Sequence, residues 1–383
     1  ALATYTYDDL SRATTLTFAN GTSIQRGYDN QGGLATLTNA LTAPGDQVQF
    51  VYARNQILDV TSVTPSNLAS QWSGGMNGRQ SYTADGLNRY TTAAGGSVGY
   101  DNNGNVASYS GWSYGYDLDN RLVSGTTGLF STVSLAYDAE GRLRQTVEPN
   151  GLGSLTTNML YDDTKLVAEY DSSGNILRRY VHGSGADNPL VWYEGSGTTN
   201  KNWFYTDQLG SVVATANTSG AKTAIYTYGP FGEPNATSGT RFRYTGQQLI
   251  GSLGLYYYKA RFYSPGLGRF FQTDPVGSRD DQNLYAYVGN NPVNRSDPDG
   301  LTGTIVGTDS FQLAGSYIWG HGDRHVSDPD AARAEIGAHL PPIGDVGGPF
   351  WGVTPNYIYR VFPLPSGDVN IGTYFYRPSG IPY

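Results

Sequence analysis

Two near-identical peptides carry the residues best suited to chemistry. Asp274-Pro275-Val276-Gly277 is followed, after the 19 residues 278–296, by Asp297-Pro298-Asp299-Gly300-Leu301. In each, proline fixes φ beside the aspartate and glycine lets the backbone turn back. Two such turns can bring the aspartates face to face. Carboxylates a few ångströms apart cannot both ionise cheaply, so one keeps a proton while the other can activate water. The plainer reading is that both peptides are turns with no reaction attached. A second group follows Leu301, where His321, His325 and His339 are three of the chain's four histidines. On a helix, His321 and His325 would share a face suited to zinc. Gly320 and Gly322 argue against a helix there, and no metal or cofactor is assigned.

The elements that must position these groups show in the composition. The chain has 383 residues, with 51 glycines, 31 tyrosines and no cysteine. Disulfides and thiolate metal sites are excluded. With 38% hydrophobic residues and 15% charged, it can bury a core and reads as many short strands joined by tight turns. A net charge of −8 argues against a general nucleic-acid or membrane-surface binder. No apolar run of about 18 residues predicts a membrane span. The N-terminus shows no signal peptide and starts inside a repeat-like pattern, as expected of a fragment or processed product.

The repeat is Tyr-Asp, then Gly or Asn, then Arg or Asn and an apolar residue. It returns at Tyr28-Asp29, Tyr100-Asp101, Tyr116-Asp117, Tyr137-Asp138 and Tyr170-Asp171. The tyrosine ends a strand, the aspartate caps backbone N–H groups, and glycine supplies φ > 0. The next strand then opens. Asp-rich turns such as Asp101–Asn105 lack the clustered acids of calcium loops. The recurrence resembles the YD repeats of the RHS family, which includes bacterial RHS toxins, C subunits of insecticidal toxin complexes, and teneurins. The resemblance covers roughly residues 1–301. It sharpens through Asp207-Gln208-Leu209-Gly210-Ser211, Tyr228-Gly229-Pro230-Phe231-Gly232, Arg243–Gln247, Tyr257–Tyr263 and Gly268–Phe271.

The resemblance implies a mainly β fold in three parts. Residues 1–240 would form a YD-repeat β-strand spiral shell. Residues 241–301 would be an irregular core plug with an autocleavage junction, and 302–383 a variable C-terminal domain held inside. It further implies that Asp274 and Asp297 act as an intramolecular aspartyl protease cutting after Leu301, with Arg269 positioning or balancing the pair. The spacer is one residue longer than the family pattern, and Asp299 adds a third carboxylate where relatives often carry an apolar residue. Export to the exterior or cell surface, secretion machinery and an immunity protein are the implied partners and setting. The rival class is a non-catalytic structural or surface-interaction protein.

Residues 302–383 read as a small α+β unit. Asp328-Pro329-Asp330 opens a helix that Pro341-Pro342 stops. Strands at 357–362 and 369–376 flank a Pro-Ser-Gly-Asp turn and predict a hairpin. The layout is similar to metal-independent RNases. Such chemistry needs an acid, a base and a cation for developing charge. His321 and His325 are the acid–base candidates, Arg360 the phosphate ligand, and Thr373 and Tyr376 the donors. Seven acids against four arginines and no lysine is not the usual footprint of an RNA binder. Another toxin enzyme, a zinc site and a non-catalytic tail therefore stay open.

Overall fold

The aspartate turns close as their residues dictate. In the Asp138 turn, the aspartate N–H donates to Arg142 O at 3.0 Å and Gly141 N–H donates back to Asp138 O at 3.1 Å. Asp138 Oδ1 accepts the N–H groups of Glu140 and Arg142, both at 2.9 Å, and Oδ2 takes Arg142 Nε at 2.7 Å. Gly141 has φ +80°, a conformation that costs most other residues free energy. The same N–H pair is held by Asp29, Asp101, Asp117 and Asp171. Asp85, Asp207 and Asn217 make further copies. The tyrosines lock one repeat to the last. The hydroxyls of Tyr28, Tyr116 and Tyr137 donate to the carbonyls of Ala13, Val106 and Leu122, at 2.8, 2.7 and 2.6 Å.

The computed structural model describes residues 1–305 except 57, 76–79, 95, 129 and 130, and beyond them four strands: Tyr317–Trp319, Phe350–Val353, Tyr357–Pro363 and Val369–Tyr376. The described residues contain strands and short 3-10 turns and no α-helix. Strand–turn–strand repetition yields two antiparallel meanders rather than one continuous sheet. Six strands run from Ala3–Tyr7 to Val60–Pro65, and fifteen from Tyr82–Ala84 to Lys222–Ile225. The chain falls into two compact units, 1–8 with 13–308, and 9–12 with 309–383.

In the first unit, the segment after the meanders packs on the fifteen-stranded sheet. Leu122, Val133, Leu143, Leu166 and Phe204 of the sheet share a buried cluster with Phe242, Ile250, Tyr257, Phe262 and Phe271. Burying each such side chain favours folding by about 1.5–3 kcal/mol. Polar tethers set the register. Leu143 N–H donates to Tyr257 Oη at 3.0 Å, and buried Glu169 of the sheet pairs with Arg241. A four-stranded sheet, Gln248–Ile250, Leu255–Tyr258, Arg261–Ser264 and Arg269–Phe270, follows. Its other face carries a nest of buried rings: Tyr244, Tyr256, Tyr258, Tyr263, Phe270 and Tyr287. Arg295–Ser296 then pairs with Thr304–Ile305, so residues 297–303 form the loop of a hairpin.

In the second unit, Tyr357–Pro363 and Val369–Tyr376 form the expected antiparallel hairpin. Phe350–Val353 pairs antiparallel with the first of these strands, and Tyr317–Trp319 parallel with the second. The expected helix over 328–340 lies outside the described residues.

Candidate active site

Asp274 and Asp297 sit in turns built by their own carboxylates. Asp274 Oδ1 accepts Val276 N–H at 2.9 Å, its N–H donates to Leu284 O at 3.0 Å, and its carbonyl accepts Gly277 N–H at 3.0 Å. Asp297 Oδ1 gathers three consecutive amides: Gly300 at 2.9 Å, Leu301 at 3.0 Å and Thr302 at 3.1 Å. The Leu301–Thr302 peptide bond is thus wrapped around one carboxylate oxygen. Asp299 Oδ1 takes the Leu301 N–H as well, at 3.2 Å, and Asp280 accepts Gly303 N–H at 3.3 Å.

The other oxygens of the pair converge on one arginine. Arg261 Nη2 lies 2.8 Å from Asp274 Oδ2 and 3.4 Å from Asp297 Oδ2. The two carboxylates are therefore no further apart than those two contacts laid end to end. The guanidinium is 1% exposed and stacks 3.7 Å above the Phe270 ring. Its Nε donates to Gly300 O at 2.6 Å and its Nη1 to Leu284 O at 3.3 Å. The sequence led to the expectation of two carboxylates meeting over a shared proton; in the structure each meets the same cation.

The backbone of the loop is gripped from its other side by the turn between Leu255–Tyr258 and Arg261–Ser264. Three successive residues hold three successive carbonyls. Lys259 Nζ donates to Pro298 O at 2.5 Å, Ala260 N–H to Asp299 O at 3.1 Å, and Arg261 Nε to Gly300 O. Gln247 Nε2 also reaches Pro298 O, at 3.1 Å. Only glycine fits at position 300, because φ is +75° and a Cβ there would lie 2.4 Å from Tyr258 O.

Electrostatics follows burial. Desolvation raises Asp297 to about 6; Arg261 pulls it down and the neighbouring Asp299 pushes it up. Asp274 is also raised, first by burial, with Asp280 adding to the effect against Arg261. Burial pulls Arg261 below the usual guanidinium value even though both aspartates favour its charge. A carboxyl group of raised pKa that accepts the amide N–H groups on both sides of Leu301, a second carboxylate beside it and a fixed cation make an arrangement suited to acid–base chemistry at that peptide.

Arg269, expected at this pair, lies elsewhere. Its guanidinium stacks 3.5 Å over the Tyr90 ring and donates to Asn88 O, tying the four-stranded sheet to the repeat wall. Alternation along the strand explains this: Phe270 points to Arg261, so Arg269 points away. Arg261, Lys259, Gln247 and Asp280 were not singled out by sequence. Sequence offered no local signal for Arg261; the structure shows it as a charge in a strand whose four residues are all buried.

Of the other candidates, Arg360 and Thr373 are register partners in the final hairpin, and Tyr376 pairs with Tyr357. His321 and His325 lie outside the described residues. Among the described residues, no cluster of three or more His, Asp or Glu side chains could hold a metal. No helix among them is long and apolar enough to cross a membrane.

Comparison with known proteins agrees with this architecture. The family model described as "Teneurin YD-shell" matches residues 73–293, more than half of the chain. The chain belongs to the teneurin YD-shell family. Among its relatives is the tRNA3(Ser)-specific nuclease WapA of Bacillus spizizenii, 33% identical over 248 residues, covering 60% of this chain and 10% of that protein. Toxin subunit YenC1 of Yersinia entomophaga is 30% identical over 206 residues, covering 49% of this chain and 19% of that one. The Photorhabdus luminescens Tc holotoxin pore superposes with a TM-score of 0.60 at 16% identity, over 80% of this chain and 19% of that chain. The chain is thus a YD-shell region related to WapA nucleases and Tc toxin subunits. It spans about a tenth to a fifth of the length of these curated relatives.

Proposed function

We propose that this YD-shell chain is the C-terminal part of an exported RHS-type toxin, and that it cleaves itself after Leu301. Residues 1–240 would be spiral shell wall, 241–301 plug and protease, and 302–383 the enclosed effector. The carrying observation is Asp297: one oxygen accepts the amides on both sides of Leu301, and the other meets Asp274 across Arg261. In this reading Asp274 takes a proton from water as its oxygen attacks the Leu301 carbonyl carbon. Arg261 keeps Asp274 ionised beside the protonated Asp297. Asp297 then gives its proton to the Thr302 nitrogen as the C–N bond breaks. The Leu301 carboxylic acid passes its proton to the Thr302 amine, so the products are a carboxylate and an ammonium, with the shared proton of the pair now on Asp274.

For the released part, an RNase is the favoured reading, because relatives of the chain are tRNA nucleases by name. His321 and His325 would serve as acid and base, Arg360 as phosphate ligand, and Thr373 and Tyr376 as donors. An immunity protein and a secretion apparatus would be its partners. The test is a denaturing gel with expression of 302–383 alone. Two species, 1–301 and 302–383, support cleavage. Loss of total RNA that His321→Ala or His325→Ala prevents supports the effector. A single intact band, with no toxicity from 302–383, would instead favour a purely structural YD-shell protein.

A further inference from the structure

The cleavage loop is reached by a residue of the repeat wall. Asp187 lies in the connection between the wall strands Ile176–His182 and Pro189–Glu194. Its Oδ2 accepts Gln247 Nε2 at 2.6 Å, and its Oδ1 pairs with Lys259 Nζ. Lys259 Nζ also donates to Gln247 Oε1 at 2.9 Å. Both Lys259 and Gln247 then converge on Pro298 O, the carbonyl immediately after Asp297. The ring is closed: wall carboxylate, plug ammonium and plug amide hold one another and one backbone oxygen of the loop.

The ring is also built to a tight tolerance. Lys259 has φ +60° and Asp187 φ +50°, left-handed conformations that non-glycine residues keep only when surroundings enforce them. A Cβ at Gly246 would lie 2.0 Å from Asp187 O, so the wall connection and the 244–247 turn touch backbone to backbone. A lysine held by one carboxylate and one amide has little freedom left. The carbonyl it holds is therefore fixed relative to the wall as well as to the plug.

We infer that Asp187, Lys259 and Gln247 are positioning residues of the cleavage site, and that through Asp187 the repeat wall licenses cleavage. This rests on the proposal that Asp274 and Asp297 cut after Leu301. Without the wall, Lys259 and Gln247 lose the carboxylate that aims them, and the Pro298 carbonyl loses two donors. Asp297, one residue away, then no longer presents its two oxygens to Arg261 and to the Leu301 and Thr302 amides together. Such a device delays cutting until the wall around residues 176–194 has docked on the plug, so that the effector is freed inside a finished shell.

The test follows cleavage of the 383-residue chain and its variants during cell-free synthesis by intact mass. Asp297→Asn must block cleavage; if it does not, the protease assignment falls and this inference with it. Asp187→Ala and Lys259→Met should each slow cleavage by about tenfold or more, because small misplacements of reacting groups carry losses of that size. The double variant should be no slower than the worse single one, as for residues acting as a unit. Lys259→Arg should recover much of the rate. Asp187→Asn, which keeps the amide contact, serves if the alanine variant fails to fold. Lys222→Ala, which removes a wall lysine paired with Asp46, should cut at the normal rate. Hydrogen exchange in an uncleaved Asp274→Asn background gives a readout that loss of general stability would not: Asp187→Ala should deprotect the amides of residues 299–303 selectively. Normal cutting by both Asp187→Ala and Asp187→Asn would overturn the inference. So would an equal slowing by Lys222→Ala.

Discussion

Replacing Arg261 by methionine tests whether one guanidinium sustains two buried carboxylates. The arginine is 1% exposed, and its partners Asp274 and Asp297 are 6% and 1% exposed. Removing the cation leaves their charges facing each other without compensation, a change that costs about 3–5 kcal/mol. Both carboxylates, already raised, would rise further in the folded state. A carboxylate with a raised folded value contributes stability that is present below its unfolded value, near 3.8, and is lost as pH rises through the folded value. The Arg261→Met shell should therefore be nearly intact at pH 4.5 and strongly destabilised at pH 8, by roughly 5–10 °C in melting temperature for a unit of this size. Adding Asp297→Asn removes one unpaired charge. The double variant should recover stability at pH 8 and gain little at pH 4.5. The assay is thermal unfolding of both variants across this range; neither should cleave, so they are compared as intact chains. A loss independent of pH, or no recovery on adding Asp297→Asn, would refute the view that Arg261 acts by balancing this pair.

Burial raises Asp297 most and Asp299 adds to the rise, so Asp299→Asn should move the basic limb of the cleavage rate against pH, where Asp297 loses its proton, to lower pH. An unmoved limb would show that Asp299 does not couple to the acid. Gly300→Ala forces a Cβ against Tyr258 O at φ +75°; intact-mass analysis should show cleavage lost, with a destabilisation of about 1–3 kcal/mol. Tyr137→Phe deletes the donor to Leu122 O and should reduce shell stability by about 1 kcal/mol in denaturant unfolding, while cleavage proceeds normally.

The parts legible in the sequence were local ones. An Asp-x-x-Gly turn is settled within five residues, by a carboxylate that caps two amides and a residue that accepts positive φ. Asp29, Asp101, Asp117, Asp138 and Asp171 therefore gave the turns, the strands between them and the antiparallel pairing. Asp85 and Asn217 use the same geometry but follow Ala84 and Ala216 in place of a tyrosine, so the Tyr-Asp pattern did not mark them. The final hairpin was legible for the same reason, through its Pro-Ser-Gly-Asp turn.

What could not be read was tertiary. Arg261 is separated from Asp297 by 36 residues, and nothing local distinguishes it from Arg269, the arginine chosen from the resemblance. Burial makes the distinction: Arg261 lies under the ring nest with two carboxylates, whereas Arg269 finds an aromatic face on the wall. The clamp is less local still, since Asp187 and Lys259 are 72 residues apart. The break between the six-stranded and fifteen-stranded meanders falls in the widest gap between the Tyr-Asp turns, from Tyr28 to Tyr100, but a gap alone does not say that the sheet ends there.

The central claim is that Asp297 and Asp274 cut the bond their turns enclose. Intact-mass spectrometry of the chain beside its Asp274→Asn and Asp297→Asn variants tests it most directly. Asparagine keeps the turn chemistry and removes the acid. The account requires the parent chain to appear as two species joined in sequence at Leu301 and Thr302, and both variants to appear as single uncut chains with the shell still folded. Cleavage at that bond in both variants, or an uncut parent chain, would contradict it.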